Sequence, residues 1–572
     1  MPDHSSLTPA APPAPSSSAP LAAGGAIVHG ETSLGDFTTD RRLLILAAMA
    51  ALIGTVGAWA AWVLFHLIYI VTNLAYFGRL DFNYVNIADN KLGVASVLVP
   101  VVGSLIIGLM ARFGSEKIRG HGIPEAMEAI LIGRSRIEPK VALLKPLSSA
   151  VSIGTGGPFG AEGPIIMTGG ALGSLFAQLF RLSNFERRTL LVAGAAAGMA
   201  ATFGTPVAAM LLAVELLLFE WKPRSFVPSA IASMVAVAWR PVLGMGSGAL
   251  FPMATSAMLP VSGLLLAGVI GIISGLASGL LTQMVYKCED LFQRLPIHWM
   301  WWPIFGGLAV GIGGLIEPHA LGVGYDNIAA LLKGSFTNAQ AAKLLVVKSL
   351  IWSIALGSGT SGGVLAPLLM MGGSLGALIG SILPVGDVSL WALVGMAAIM
   401  GGTMRSPLTA IMFALELTHN MGALLPLAVG CTLAHGTTVL LLKRSILTEK
   451  VARHGHHVLR EYIVDPFETM RVSEIMARPV VTLPASLPVA EAVAHFTKPT
   501  EADHHKSYPV VNESGALVAI VTRADALRWT MEGWATQKTL GEQLAGQKLV
   551  IGYEDELVGR LADRMAAQDV AR

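Results

Sequence analysis

Residues 154–176 read GTGGPFGAEGPIIMTGGALGSLF, and residues 357–378 read GSGTSGGVLAPLLMMGGSLGAL. Shifted by 203 positions, the first stretch lays Gly154, Gly156, Pro164, Met167, Gly169, Gly170, Leu172 and Gly173 over identical residues of the second. A shift of 201 sets PVAAMLLAVEL from residue 206 over PLTAIMFALEL from residue 407, matching Pro206 and Glu215 to Pro407 and Glu416. The chain is therefore built from two homologous halves. Each half carries a glycine-rich loop into an apolar helix, with a proline suited to the first turn. Only the first half puts a carboxylate there, Glu162.

That carboxylate is costly. An ionisable side chain at membrane depth costs about 2.5–3.5 kcal/mol on insertion scales, and by default it marks an ion or proton pathway. Helix N-termini carry roughly +0.5 charge and free N–H donors, so two or three facing one cavity hold an anion without a lysine. The stretch reads as an anion site gated by Glu162. Its plainer alternative is a carboxylate capping its own helix.

The rest of the chain agrees with a membrane setting. Of 572 residues, 53% are hydrophobic and only 13% charged, with 63 glycines, and the mean hydropathy is +0.63. These values exclude an ordinary soluble enzyme and predict an all-α polytopic membrane protein. A net charge of +2 with no long basic run offers nothing to nucleic acid. The two cysteines, Cys288 and Cys431, have no ligand-like spacing and read as packing residues. No metal-ligand cluster and no constellation of nucleophile, base and orienter occurs in the apolar region, so neither a metal site nor catalytic residues are assigned.

Residues 1–38, rich in Pro, Ala and Ser, read as a disordered tail rather than a signal peptide. The membrane region is expected over 39–450, with a first span that starts after Asp40, Arg41 and Arg42 and runs to about residue 72, a second from Lys91 to Met110, and repeats over about 90–240 and 260–445. Arg134, Arg136, Lys140 and Lys145 read as one short basic loop, cytoplasmic by the positive-inside rule along with Arg41 and Arg42. Between 146 and 239 the apolar pieces are too short to span, which is tolerated where protein or a wet cavity satisfies the freed backbone. Transporters with inverted halves place their sites at the midplane, among such broken helices.

After Arg444 the composition turns soluble. Residues 451–469 read as a linker, and 470–530 as a helix, a strand, an amphipathic helix, two strands around an NESG turn and a further helix. A second copy begins near TLGEQLAGQKLV, and the sequence stops at Arg572 before a closing strand pair. It reads as an incomplete repeat, naturally short or cut from a longer chain.

These stretches, in this order, resemble the CLC family of chloride channels and proton-coupled chloride exchangers, with a C-terminal α/β CBS region over 470–572. GHGIPE at 120–125 is similar to the family's GSGIP element, GAEGP at 160–164 to its G(K/R)EGP element, and GGVLAP at 362–367 to its GxFxP element. The resemblance implies two inverted repeats of tilted, broken helices in a homodimer, each subunit with its own anion path. It implies an integral protein of the bacterial inner membrane with the N-terminus and CBS region cytoplasmic. Chloride is the implied substrate, with protons as a second one in coupled members, and no cofactor is required. Glu162 takes the place of the gating and proton-accepting glutamate. Gly120, His121, Gly122 and Ile123, Gly160 and Gly163, and Gly363, Val364 and Leu365 take the places that line the anion. Thr522 and Asp525 match an adenine-nucleotide-contacting element of CBS domains, beside the alternative of a plain dimerisation module.

Departures from the family pattern bear on mechanism. His121 stands for a serine, either facing the anion or bonded to a loop carbonyl; an imidazole there donates one N–H when neutral and adds charge when protonated. Ala161 replaces a basic neighbour of the gate, and Leu365 a phenylalanine. Leu216 occupies the position of an internal proton-relay glutamate, and Leu447 that of a tyrosine at the inner constriction. Leucine neither carries a proton nor donates a hydrogen bond. Glu215 and Glu416, repeated at matching positions, read as structural. The sequence thus points to a chloride pathway, channel-like or weakly proton-coupled, with an obligate exchanger as the alternative. A CBS-regulated divalent cation transporter is the rival of another class, although such a site needs converging oxygen ligands that this chain lacks.

Overall fold

A computed structural model describes residues 42–133, 135–255, 258–456, 467, 470–497, 505–531, 538–547 and 549–567. The tail over 1–38, Arg41, Arg134 and most of the linker lie outside the described residues. Six described helices are long and apolar enough to cross a membrane: Arg42–Phe77, Gly93–Phe113, Val261–Gln293, Trp299–Ile316, Asn338–Gly357 and Met421–Arg453. The first outruns the expected end near residue 72 by a full turn. Its glycines at 54 and 57 pass so close to Ala232 and Ala197 that a Cβ at either position would collide, so it packs along its length against its own half.

The short apolar pieces become the helices Pro139–Gly154, Glu162–Gln178, Asn184–Phe203 and Pro223–Trp239, with Pro206–Leu212 running into a π-helical turn, Ala213–Leu218. Their counterparts are Asn338–Gly357, Leu365–Gly380, Val388–Met404, Leu424–Leu441 and Pro407–Thr418. In each half the glycine-led helix packs most closely on the alanine- and glycine-rich one that follows. Gly169 against Gly194 and Gly372 against Gly395 are among the places where the two backbones touch. Small residues permit this close approach, which apolar packing alone favours in a membrane.

The halves are inverted, and two reciprocal contacts show the local two-fold. Gly160 and its counterpart Gly363 pair antiparallel, Gly160 N–H donating to Gly363 O at 3.1 Å and Gly363 N–H to Gly160 O at 2.8 Å. Glu215 accepts from the N–H groups of Leu408 (3.2 Å) and Thr409 (2.7 Å) and from Thr409 Oγ1 (2.6 Å). Glu416 accepts from Val207 N–H (2.9 Å) and Ala208 N–H (2.8 Å). Each glutamate thus satisfies the free donors at the start of the other half's helix. This is a structural role for both.

The basic loop needs correction. Lys140 and Lys145 belong to helix Pro139–Gly154, which starts at Pro139 and carries Pro146 inside it. Lys145 is fully buried, its Nζ donating to the carbonyls of Ile118 (2.9 Å) and Gly120 (2.8 Å). Lys348, 203 residues on, repeats this arrangement on Ala320 and Gly322, at 2.9 Å each. A lysine whose ammonium is satisfied by backbone carbonyls is part of the core, so Lys145 carries no weight in a loop-charge count.

Beyond the membrane region, strands Leu483–Pro484, Ser507–Val511 and Leu517–Thr522 form one small sheet, the first pair parallel and the second antiparallel. Helices Val489–Thr497 and Arg523–Met531 accompany it. Its core gathers Leu483, Val489, Tyr508, Val510, Val521 and Trp529. Leu540, at the start of the second copy, joins that core, and Val472 N–H bonds to Glu556 O at 2.8 Å.

Candidate functional site

Three glycine-bearing loops meet between the halves. Gly120 N–H donates to Thr360 O at 3.0 Å, beside the Gly160 and Gly363 pair. A Cβ on Gly163 would strike the His121 carbonyl, and one on Gly122 the Gly163 carbonyl. Gly122, at φ 89°, sits in a conformation that side chains rarely adopt. These contacts bring the sequence-assigned residues 120–123, 160–163 and 363–365 into one place, with Ile123, Val364 and Leu365 fully buried around it. Helices Ile123–Leu131, Glu162–Gln178 and Leu365–Gly380 all start here, so free N–H groups from both halves converge.

Glu162 lies at the centre, with no exposed surface. Its Oε1 accepts from the Tyr325 hydroxyl at 3.1 Å. Its Oε2 makes no hydrogen bond and faces the loop glycines: a Cβ on Gly363 would lie 3.0 Å from it, and one on Gly160 would overlap it. The side chain folds back over the glycine pair rather than out along its own helix.

His121 is buried, 3% exposed, and its Nδ1 has no hydrogen-bond partner. The imidazole lines a cavity of about 850 Å³ together with Arg119, Glu125, Tyr286 and Lys450. Glu125 bridges this mouth: Oε2 accepts from Gly122 N–H at 2.7 Å, and Oε1 pairs with Lys450 Nζ at 2.6 Å. Leu447 is fully buried on helix Ile446–Arg453, which packs on Ile123–Leu131. The Tyr286 hydroxyl, from the long helix Val261–Gln293, donates to the carbonyl of neighbouring Ile446. Its proton is committed to that backbone carbonyl. Leu216 is buried inside the π-helical turn, a distortion that is frequent at functional sites.

A second cavity of about 230 Å³ is lined by Tyr69, Tyr84, Asp326 and Tyr325. Tyr84, in the connecting loop, donates to Asp326 Oδ2 at 2.5 Å. Burial and that bond push its hydroxyl well above the usual tyrosine range, so it stays a donor.

Tyr325, Lys348, Lys450 and Glu125 are absent from the sequence-assigned set. A signal for Tyr325 exists in the sequence, since a shift of 202 sets GHGI, 120–123, over GVGY, 322–325. In the CBS region, Thr522 Oγ1 donates to Asp525 Oδ2 at 2.6 Å and Asp525 N–H donates back to Thr522 Oγ1 at 3.2 Å. The two residues cap their own helix as they stand.

A family model described as voltage gated chloride channel matches residues 102–439. The chain belongs to the CLC family. A CBS domain model matches residues 472–532 of this CLC protein. Similar curated proteins include the H(+)/Cl(-) exchange transporter ClcA of Klebsiella pneumoniae (strain 342), 30% identical over 354 residues, or 59% of this chain and 73% of the relative. ClcA of Salmonella arizonae is 30% identical over 352 residues, with the same shares. Among solved structures, a slow cyanobacterial Cl-/H+ antiporter aligns with a TM-score of 0.62 at 23% identity, over 73% of this chain and 99% of the other. A eukaryotic CLC transporter aligns with a TM-score of 0.60 at 19% identity, over 92% and 94%. The structural likenesses establish that the CLC fold is shared.

Proposed function

We propose that this CLC protein moves chloride, or a similar small monovalent anion, along a path that Glu162 opens and closes. The observation that carries this reading is the position of the Glu162 carboxylate, folded back over Gly160 and Gly363 where amides of both halves converge. A carboxylate and a permeant anion compete for the same space before these positive helix ends, so protonation of Glu162 vacates the site. Chloride transport also agrees with the names of the ClcA relatives.

Transport is channel-like or weakly coupled in this reading. Leu216 and Leu447 leave the inner half of a proton route without a titratable or hydroxylic side chain at those two positions, and Tyr286 is committed to Ile446. The relatives' names favour obligate proton exchange as the second reading, with water carrying the proton inward. Among the described residues no group of three His, Cys, Asp or Glu gathers as a metal site, which gives the divalent cation alternative no support. The protein acts as a homodimer in the bacterial inner membrane with the CBS module, a dimerisation and scaffold element, in the cytoplasm.

The test is a proteoliposome loaded with an imposed chloride gradient. Chloride flux without uphill proton movement supports the channel-like reading; uphill protons at a reproducible stoichiometry establish exchange. Absence of anion flux, with the protein intact in the membrane, overturns both.

A further inference from the structure

Loop 322–327 of the second half is built like the anion loop of the first, but it presents a different group. Gly322 and Gly324 stand where Gly120 and Gly122 stand, and Tyr325 stands where Ile123 stands. Lys348 ties down the loop's carbonyls as Lys145 ties down those of the anion loop. Gly322 N–H bonds Gly156 O at 3.1 Å, and Asn327 Nδ2 bonds His319 O at 2.8 Å. The tyrosine ring is gripped edge-on by Phe203 and Phe251, with centroids 6.0 and 6.1 Å away. Little freedom remains for the hydroxyl, and it ends 3.1 Å from Glu162 Oε1.

We propose that Tyr325 is a positioning residue, a latch that holds the Glu162 carboxylate in the blocking position and sets the acidity at which the gate yields. The proposal rests on the reading of Glu162 as the gate. An O–H donor bonds a carboxylate more strongly than a neutral carboxylic acid, so the latch favours the ionised, blocking form. Beside the backbone N–H groups of Glu162 and Ala366, Tyr325 is the side-chain donor on this carboxylate. Lys348 acts from a distance and spends its hydrogen bonds on Ala320 and Gly322. Arg240, behind Tyr325, is bonded to the carbonyls of Ala201, Thr202 and Met245. Asp326 turns to Tyr84, and Tyr69 lines the cavity of about 230 Å³ that ends on Tyr325.

The experiment measures chloride efflux from proteoliposomes against external pH for the parent, Y325F and E162Q. Phenylalanine keeps the ring contacts and removes the donor. Losing a hydrogen bond to a charged group moves the Y325F midpoint toward alkaline pH by on the order of one unit, while E162Q loses pH dependence. A Y325F curve that superimposes on the parent, with E162Q flat, overturns the latch and leaves the gate standing. Parent-like pH dependence in E162Q overturns both. If Y325F does not reconstitute, 3-fluorotyrosine at 325, a stronger donor of nearly the same shape, must move the midpoint to acid, and an unmoved midpoint overturns the latch.

Discussion

Glu215 and Glu416 cap each other's half: each carboxylate sits on the first free N–H groups of the helix that begins the other's segment. Removing such a cap costs about 0.5–2 kcal/mol, with the upper end expected for a carboxylate on two or three donors. Glu215→Ala and Glu416→Ala should each lower the thermal unfolding midpoint in detergent by a few degrees, and the double variant by about the sum. A single variant that keeps its midpoint but changes proton movement would show a transport role instead.

Lys145 and Lys348 are fully buried and each satisfies two loop carbonyls. Replacement by methionine keeps the stem and strands both carbonyls, at about 1–3 kcal/mol per unsatisfied group. K145M and K348M should therefore lose most folded yield, measured by monodisperse elution after extraction. Full recovery of K145M would return it to the status of a surface cation.

His121 carries an unpartnered Nδ1 toward the larger cavity. Burial, with the Lys450 and Lys145 ammonium groups nearby, holds the imidazole neutral, so His121→Ser should leave in place both the fold and the acid rise of anion affinity that protonation of Glu162 supplies. Isothermal titration with chloride at pH 5 and pH 8 checks this. Loss of that acid enhancement in H121S would assign it to the imidazole.

Leu216 sits on the π-helical turn, fully buried. Leu216→Glu, alone and with Leu447→Tyr, should increase the protons moved per chloride in the gradient assay. Unchanged proton movement in the double variant, with chloride flux retained, would mean that the inner proton route does not run through these positions.

The sequence made the duplication legible because glycine and proline positions are tied to backbone geometry, and the backbone is what the halves share. Glu162 was legible for a related reason: charge in an apolar stretch has few explanations. Lys145 misled because four cations spaced over a dozen residues look like a loop, and nothing local says that one of them meets the carbonyls of Ile118 and Gly120. Tyr325 was hidden similarly. A tyrosine beside glycines is unremarkable until folding brings it across 163 residues to Glu162. The repetition of Glu215 and Glu416 was plain, whereas the exchange of partners between halves needed three dimensions. Residues whose work is local were readable; those whose work depends on the other half were not.

The pairing of Gly160 with Gly363 has one more consequence. An inverted duplication, left unaltered, presents the same face to both sides of the membrane and offers no basis for telling in from out. Glu162 on one side of that glycine pair and Leu365 on the other break the equivalence. Together with Tyr325 in the place of Ile123, this pair gives the protein its sidedness: Glu162→Leu would make the two approaches to the anion alike at this point, and any rectification should weaken with it.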